Sequence, residues 1–410
     1  MSIGTTAAPA EAPPRTAAFT KAGLASVVLL SLGHFSVDLY SGALGALQPV
    51  FVEKLGLSLA QAGIVGGVFV VSSSLTQPAY GILSDRIRTR LFAALGPAVA
   101  GICISLLGVA PAYGWLLALA ALAGAGVSAF HPQASATVAF STVARRGGWM
   151  AIFISAGTLG LSAGPSYFSG MLHWLGSGRL YWAALPGVLV TAFLLATLPL
   201  PPRHTGRRGG HSGVPAIRAY WKPLLILYLL VFLRSVVQVV FAQFLPLYLS
   251  RERGFALDDA SYALTAYLAA GAIGGFIGGH LSDWIGRRTV ILLSMAACIP
   301  FMLAFFFTTG VVALASLALG GLILLFTIPV NVVMAQELVP RQAGTVSALM
   351  MGFAWGMAGM IFIPFTGWAS DIWSMHQVMM SLLVFPAAGF FLALKLEKQP
   401  ARAAGMAPRA

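Results

Sequence analysis

From Gly310 to Ala335 the chain reads GVVALASLALGGLILLFTIPVNVVMA, 26 residues without a charge. As a helix, a run of about 20 apolar residues crosses a hydrocarbon core about 30 Å thick, and comparable runs recur throughout the 410 residues. Inside a bilayer the backbone must satisfy its own hydrogen bonds, which for such runs leaves the helix. Charged residues make up only 9% of the chain and hydrophobic ones 58%, whereas soluble proteins carry about a quarter charged residues. The expectation is an all-α integral membrane protein with twelve spans, near 22–48, 59–83, 91–110, 114–139, 147–172, 181–200, 223–250, 261–281, 289–308, 311–335, 345–369 and 375–396.

The formal charge of +13 invites a nucleic-acid reading, but the placement of the basic residues answers it. With these spans, Lys54, Arg179, Arg251 and Arg253 fall on one side and Arg234 within a span, while the other 19 of the 24 Lys and Arg residues lie on the side of the termini. The excess of cytoplasmic Lys and Arg in membrane proteins then places both termini in the cytoplasm. Residues 1–20, rich in Ala, Pro and Thr, lack the pattern of a secretory signal and read as a disordered cytoplasmic tail. Cys103 and Cys298 fall within spans, and no Cys/His spacing suggests a metal site or a cofactor.

GILSDRIRTR at 81–90 returns as GHLSDWIGRR at 279–288, an offset of 198 residues. Both copies join two spans, so the chain reads as one six-helix unit repeated in the same orientation. The expected organisation is a bundle at 21–200, a Pro, Gly and Arg-rich cytoplasmic linker at 201–222, a second bundle at 223–396 and a tail at 397–410. In each copy of the loop a Gly (Gly81, Gly279) precedes an Asp (Asp85, Asp283), followed by Arg, with Arg86 and Arg287 among them. Contacts made by these groups would lock one conformation and break in another. GTLGLSAGP at 157–165 places Gly160, Gly164 and Pro165 where a helix can approach a partner closely and bend, and Gly352 and Gly356 repeat the small-residue pattern in the eleventh span.

The doubled G-x-L-x-D loop resembles the signature of the major facilitator superfamily, and 157–165 resembles the fifth-helix motif of its drug/proton antiporters. QPAYGILSDR at 77–86, GAGVSAFHPQAS at 124–135 and the stretch 332–360 resemble the fosmidomycin resistance protein subgroup. The resemblance implies twelve helices in two pseudo-symmetric six-helix bundles, alternating access to a central cavity, and proton-driven export across a bacterial inner membrane. It departs at Arg88, Trp284 and Ala120, where the pattern has Gly, Arg and Arg.

Within the spans, Asp38 must face the protein interior, be protonated part of the time or have a partner. His34 stands one helical turn earlier on the same face, so the two can form a titratable pair suited to proton coupling. The alternative is a permanently neutral Asp38 held by a structural His34. His131, before the helix-bending Pro132, is a third proton-coupling candidate. Arg234 needs an anion, either Asp38 or a substrate, unless it snorkels to the cytoplasmic surface. Gln238, Gln243, Asn331, Tyr40, Gln48 and Trp355 are candidate cavity residues, and Glu337 is expected to pair with Arg341 or with an Arg of the repeated loops as a gate.

The functional expectation is proton-coupled efflux of a small molecule or drug, including a phosphonate, with Asp38 and His34 at the proton site. The alternative is transport of a physiological organic anion or sugar-like metabolite. No catalytic or nucleotide-binding motif points to an enzyme or to ATP as the direct energy source. Expected partners are substrate, protons and lipid, without nucleic acid, around a monomer.

Overall fold

A computed structural model describes residues 21–87, 89–141, 146–200 and 219–397. The N-terminal tail, most of the expected linker, the C-terminal tail beyond residue 397, Arg88, and the side chains of Asp85 and Arg341 lie outside the described residues. The first six helices are α1 (Lys21–Leu55), α2 (Leu59–Ser84), α3 (Leu91–Val109), α4 (Tyr113–Ser141), α5 (Arg146–Leu175) and α6 (Ser177–Thr197). The second six are α7 (Trp221–Glu252), α8 (Leu257–Ile285), α9 (Arg287–Phe307), α10 (Gly310–Leu338), α11 (Thr345–Ile372) and α12 (Met375–Ala393). Among the described residues, eleven are apolar and long enough to cross a membrane; α5, rich in Gly, Ser and Thr, is the twelfth by position.

The helix ends follow local rules. Ser58 and Gln61 form a capping box at the start of α2, and Ser374 caps α12. Gly286 opens α9 with φ +85°, a conformation that favours glycine. The same caps serve both halves. Arg90 donates to the Leu198 carbonyl at 2.7 Å, and Arg288 to the Leu394 carbonyl at 2.9 Å. At the opposite end, Lys54 donates to the Gly108 carbonyl at 3.1 Å and Arg253 to the Phe305 carbonyl at 3.2 Å. The arginine that ends each repeated loop thus caps the last helix of its own bundle, where carbonyls are left over.

Apolar burial offers little drive in lipid, so close backbone packing carries the assembly. Within the first bundle, a Cβ at Gly160 would strike the backbone of Phe35 and one at Gly164 that of Leu39, so α5 lies directly on α1. The two bundles meet through α2 with α11, α5 with α8 and α1 with α7. The α2–α11 contact runs from Gly367 against the Leu59 carbonyl to Gly356 against Ser74 and Leu75. There each helix has a π-helical turn, Val71–Leu75 in α2 and Leu349–Phe353 in α11. Within the second of these turns, among the described residues, nothing stands within 4 Å of a Cβ built at Gly352. The bundles are closed at the end away from the termini and part toward the other.

Candidate functional site

Asp38 is the hub of a three-residue cluster. Its Oδ2 lies 3.2 Å from His34 Nε2 and its Oδ1 3.4 Å from His131 Nε2. The α-helical i,i+4 spacing supplies the first contact; the second needs α4 packed against α1. Both imidazoles are held from behind: His34 Nδ1 donates to the Phe153 carbonyl and His131 Nδ1 to the Val127 carbonyl, each at 2.8 Å. A carbonyl only accepts, so each Nδ1 carries a proton and each Nε2 faces the carboxylate.

When neutral, both Nε2 lone pairs face a carboxylate, and a shared proton turns either contact into a hydrogen bond. One ligand atom from each residue lies within 4.8 Å of the others, a geometry in which three donors share one cation. The His34 side chain is 8% exposed, against 17% for Asp38 and 24% for His131, so the latter two are the more accessible. Packing fixes the His34 ring, since a Cβ at Gly157 would overlap the imidazole and Phe153 stacks at 4.3 Å.

Arg234 lies in the other bundle. It is buried, hydrogen-bonds the side-chain oxygen of Gln238 one turn on, and leaves its Nε unpartnered. Among the described residues no carboxylate stands within ion-pairing distance, so Arg234 is not the partner of Asp38, and its burial rules out snorkelling. It lines a cavity of about 190 Å³ with Gln238, Ile328, Val332, Met351 and Trp355.

The remaining candidates divide. Tyr40 is not a cavity residue: it is fully buried, its hydroxyl donating to the Ala183 carbonyl at 3.0 Å and accepting from Gly187 N–H at 2.9 Å, which pins α6 to α1. Gln48 reaches the Ala62 carbonyl at 3.5 Å with its Oε1 unpartnered. Gln243 packs against Gly66, away from Arg234, with its Nε2 unpartnered. Asn331 is fully buried, and neither polar atom of its side chain has a partner. Glu337 pairs with Arg287 of the second repeated loop. Arg86 and Asp283 are exposed.

The loop glycines face the same feature in both copies. A Cβ at Gly81 would meet Pro132 at 3.7 Å, and one at Gly279 would meet Pro329 at 3.4 Å, so each leaves room for the proline-bearing helix of its bundle. Sequence reasoning missed the carbonyls of Phe153 and Val127, which have no side-chain signature. It also missed Asp258 and Asp371, visible only as acids at helix ends.

A family profile described as Major Facilitator Superfamily matches residues 30–363. The chain is 30% identical over 81% of its length, and 83% of the relative's, to the fosmidomycin resistance protein of Escherichia coli (strain K12). It is 28% identical, over 92% of its length and 94% of the relative's, to the uncharacterized MFS-type transporter YfnC of Bacillus subtilis (strain 168). Among solved structures, an inward-facing, unoccupied bacterial homolog of the human lysosomal transporter Spinster superposes with a TM-score of 0.76 at 19% identity. That match covers 93% of this chain and 99% of the other.

Proposed function

The chain belongs to the major facilitator superfamily, a family of multi-pass membrane transporters, and from that premise we propose that it exports a small molecule across a bacterial inner membrane in exchange for protons. The observation that carries the reading is the His34–Asp38–His131 cluster, three titratable groups inside the first bundle in which only Nε2 and carboxylate oxygens are left to exchange a proton. Similarity to the fosmidomycin resistance protein supports efflux and a phosphonate as the first substrate to try.

The distribution of Lys and Arg supports cytoplasmic termini, and on that reading the closed end is external and the protein opens inward. In the outward-facing state the cluster takes up a proton; in the inward-facing state it gives the proton up, and substrate enters. The two bundles divide the work. The first holds the carboxylate and both histidines, and the second presents, on a mostly apolar cavity with Trp355, a guanidinium that has no carboxylate partner among the described residues, suited to the anionic end of a small molecule. The protein acts as a monomer, since each site is complete within one chain. A second reading, transport of a physiological organic anion with resistance incidental, rests on that same guanidinium.

The test is proton release by purified protein in weakly buffered detergent on adding fosmidomycin and other phosphonates, with Asp38→Asn in parallel. A substrate-triggered proton signal that vanishes in Asp38→Asn is expected. Binding with no proton signal in either protein removes the antiport mechanism and leaves the cluster as structure.

A further inference from the structure

At the closed end, the bundles are joined by two carboxylates of the second bundle held by donors of the first. Asp371, in the last turn of α11, accepts from the backbone N–H groups of Leu59 at 2.7 Å and Ala60 at 2.8 Å, at the start of α2. Asp258, in the first turn of α8, accepts from the Ser169 hydroxyl of α5 and lies 3.5 Å from His173 Nδ1. The two contacts flank the molecule, α2–α11 on one side and α5–α8 on the other.

Asp371 sits where its own helix repels it, because the C-terminal end of α11 concentrates carbonyl dipoles, while the N-terminus of α2 attracts negative charge. Its environment is therefore favourable only while the bundles touch. Asp371 is exposed and Leu59 and Ala60 are partly so, which means that water can take up these groups on release and the contact is reversible. On the same side of the molecule, Gln48 Oε1, in a side chain that reaches Ala62 of α2, and Gln243 Nε2, in a side chain packed against Gly66 of α2, are buried without partners among the described residues. Buried polar groups normally find partners, so a protein that keeps two orphans at an interface between moving bodies satisfies them in its other state.

We propose that Asp371 and Asp258 are the paired latches of this gate, and that releasing them opens the closed end and hydrates Gln48 and Gln243, which then line the exit path. The proposal goes beyond proton coupling and requires neither a substrate nor a proton to test. A Gln48→Cys reporter is alkylated with a water-soluble maleimide in purified protein, and the labelling of the buried Cys103 and Cys298 is subtracted using the parent.

Removing one charge-assisted latch by Asp371→Asn or Asp258→Asn should raise the labelling rate several-fold, and removing both should raise it about tenfold or more. Asp259→Asn, which removes the same charge from the neighbouring exposed residue, should leave it unchanged. An unchanged rate in the folded double variant, or an equal rise in Asp259→Asn, overturns the proposal. If the double variant does not fold, the two single variants decide by the same criteria.

Discussion

His131 Nε2 lies 3.4 Å from Asp38 Oδ1, although the residues are 93 positions apart and on different helices. With His34 on the other carboxylate oxygen and, among the described residues, no ion pair joining Asp38 to Arg234, the central charges of the two bundles are handled separately. The histidines do not act alike: His34 is packed under Gly157 and Phe153, while His131 is the more exposed of the two.

Asp38→Asn is expected to abolish proton-driven transport, and His131→Ala to reduce it by about tenfold or more, because each removes a position for the shared proton. Efflux of substrate from proteoliposomes under an imposed proton gradient measures both. Retained counterflow in Asp38→Asn would show that only the coupling is lost.

Gly157→Ala places a methyl group in the space occupied by the His34 ring, whereas Gly170→Ala on the same helix meets nothing within 4 Å. The first should displace the imidazole from Asp38 and slow transport about tenfold, as an ångström-scale misplacement of a working group can. The second should match the parent. Equal activity of the two would argue against a role for His34.

Arg234→Lys keeps the charge but loses the planar fork and the contact to Gln238. Affinity for an anionic substrate should fall about tenfold, a charge-assisted hydrogen bond being worth about 1.5–3 kcal/mol. Titration calorimetry with the best ligand found is the measurement, and unchanged affinity would place the anion elsewhere.

Tyr40→Phe removes the hydroxyl that bridges the Ala183 carbonyl and Gly187 N–H; the carbonyl keeps the Tyr167 hydroxyl at 2.9 Å, and the buried Gly187 N–H loses its acceptor. The expected result is a loss of about 1–3 kcal/mol in stability, read as a lower Tm in detergent, with substrate affinity of the folded protein unchanged. A change in affinity without loss of stability would return Tyr40 to the cavity.

Gly367→Ala drives a Cβ into the Leu59 carbonyl, a backbone atom that cannot rotate away. The ends of α2 and α11 must then separate, so the amides near 59–67 and 363–371 should exchange hydrogen for deuterium faster than in the parent. Unchanged exchange would mean that α11 adjusts without parting from α2.

Much of the architecture was legible because its causes are local. Uncharged runs such as 310–335 have no folded option in lipid but a helix, the loops at 81–90 and 279–288 carry the repeat on their face, and i,i+4 spacing alone sets His34 beside Asp38. Tyr40 was misread because polarity in a span says nothing about which way a side chain turns; the carbonyls it holds belong to a helix that starts 137 residues later.

By itself the sequence determined the number of spans, the doubling of the unit and the presence of a carboxylate and a guanidinium in the membrane, since hydropathy and turn geometry act over a few residues. Only the tertiary structure decided that His131 joins Asp38, that Arg234 stands apart on its own cavity, and that Asp371 reaches the start of α2. Those outcomes depend on how closely helices approach through Gly157, Gly160 and Gly367. Close approach is a property of two surfaces, and neither helix specifies it alone.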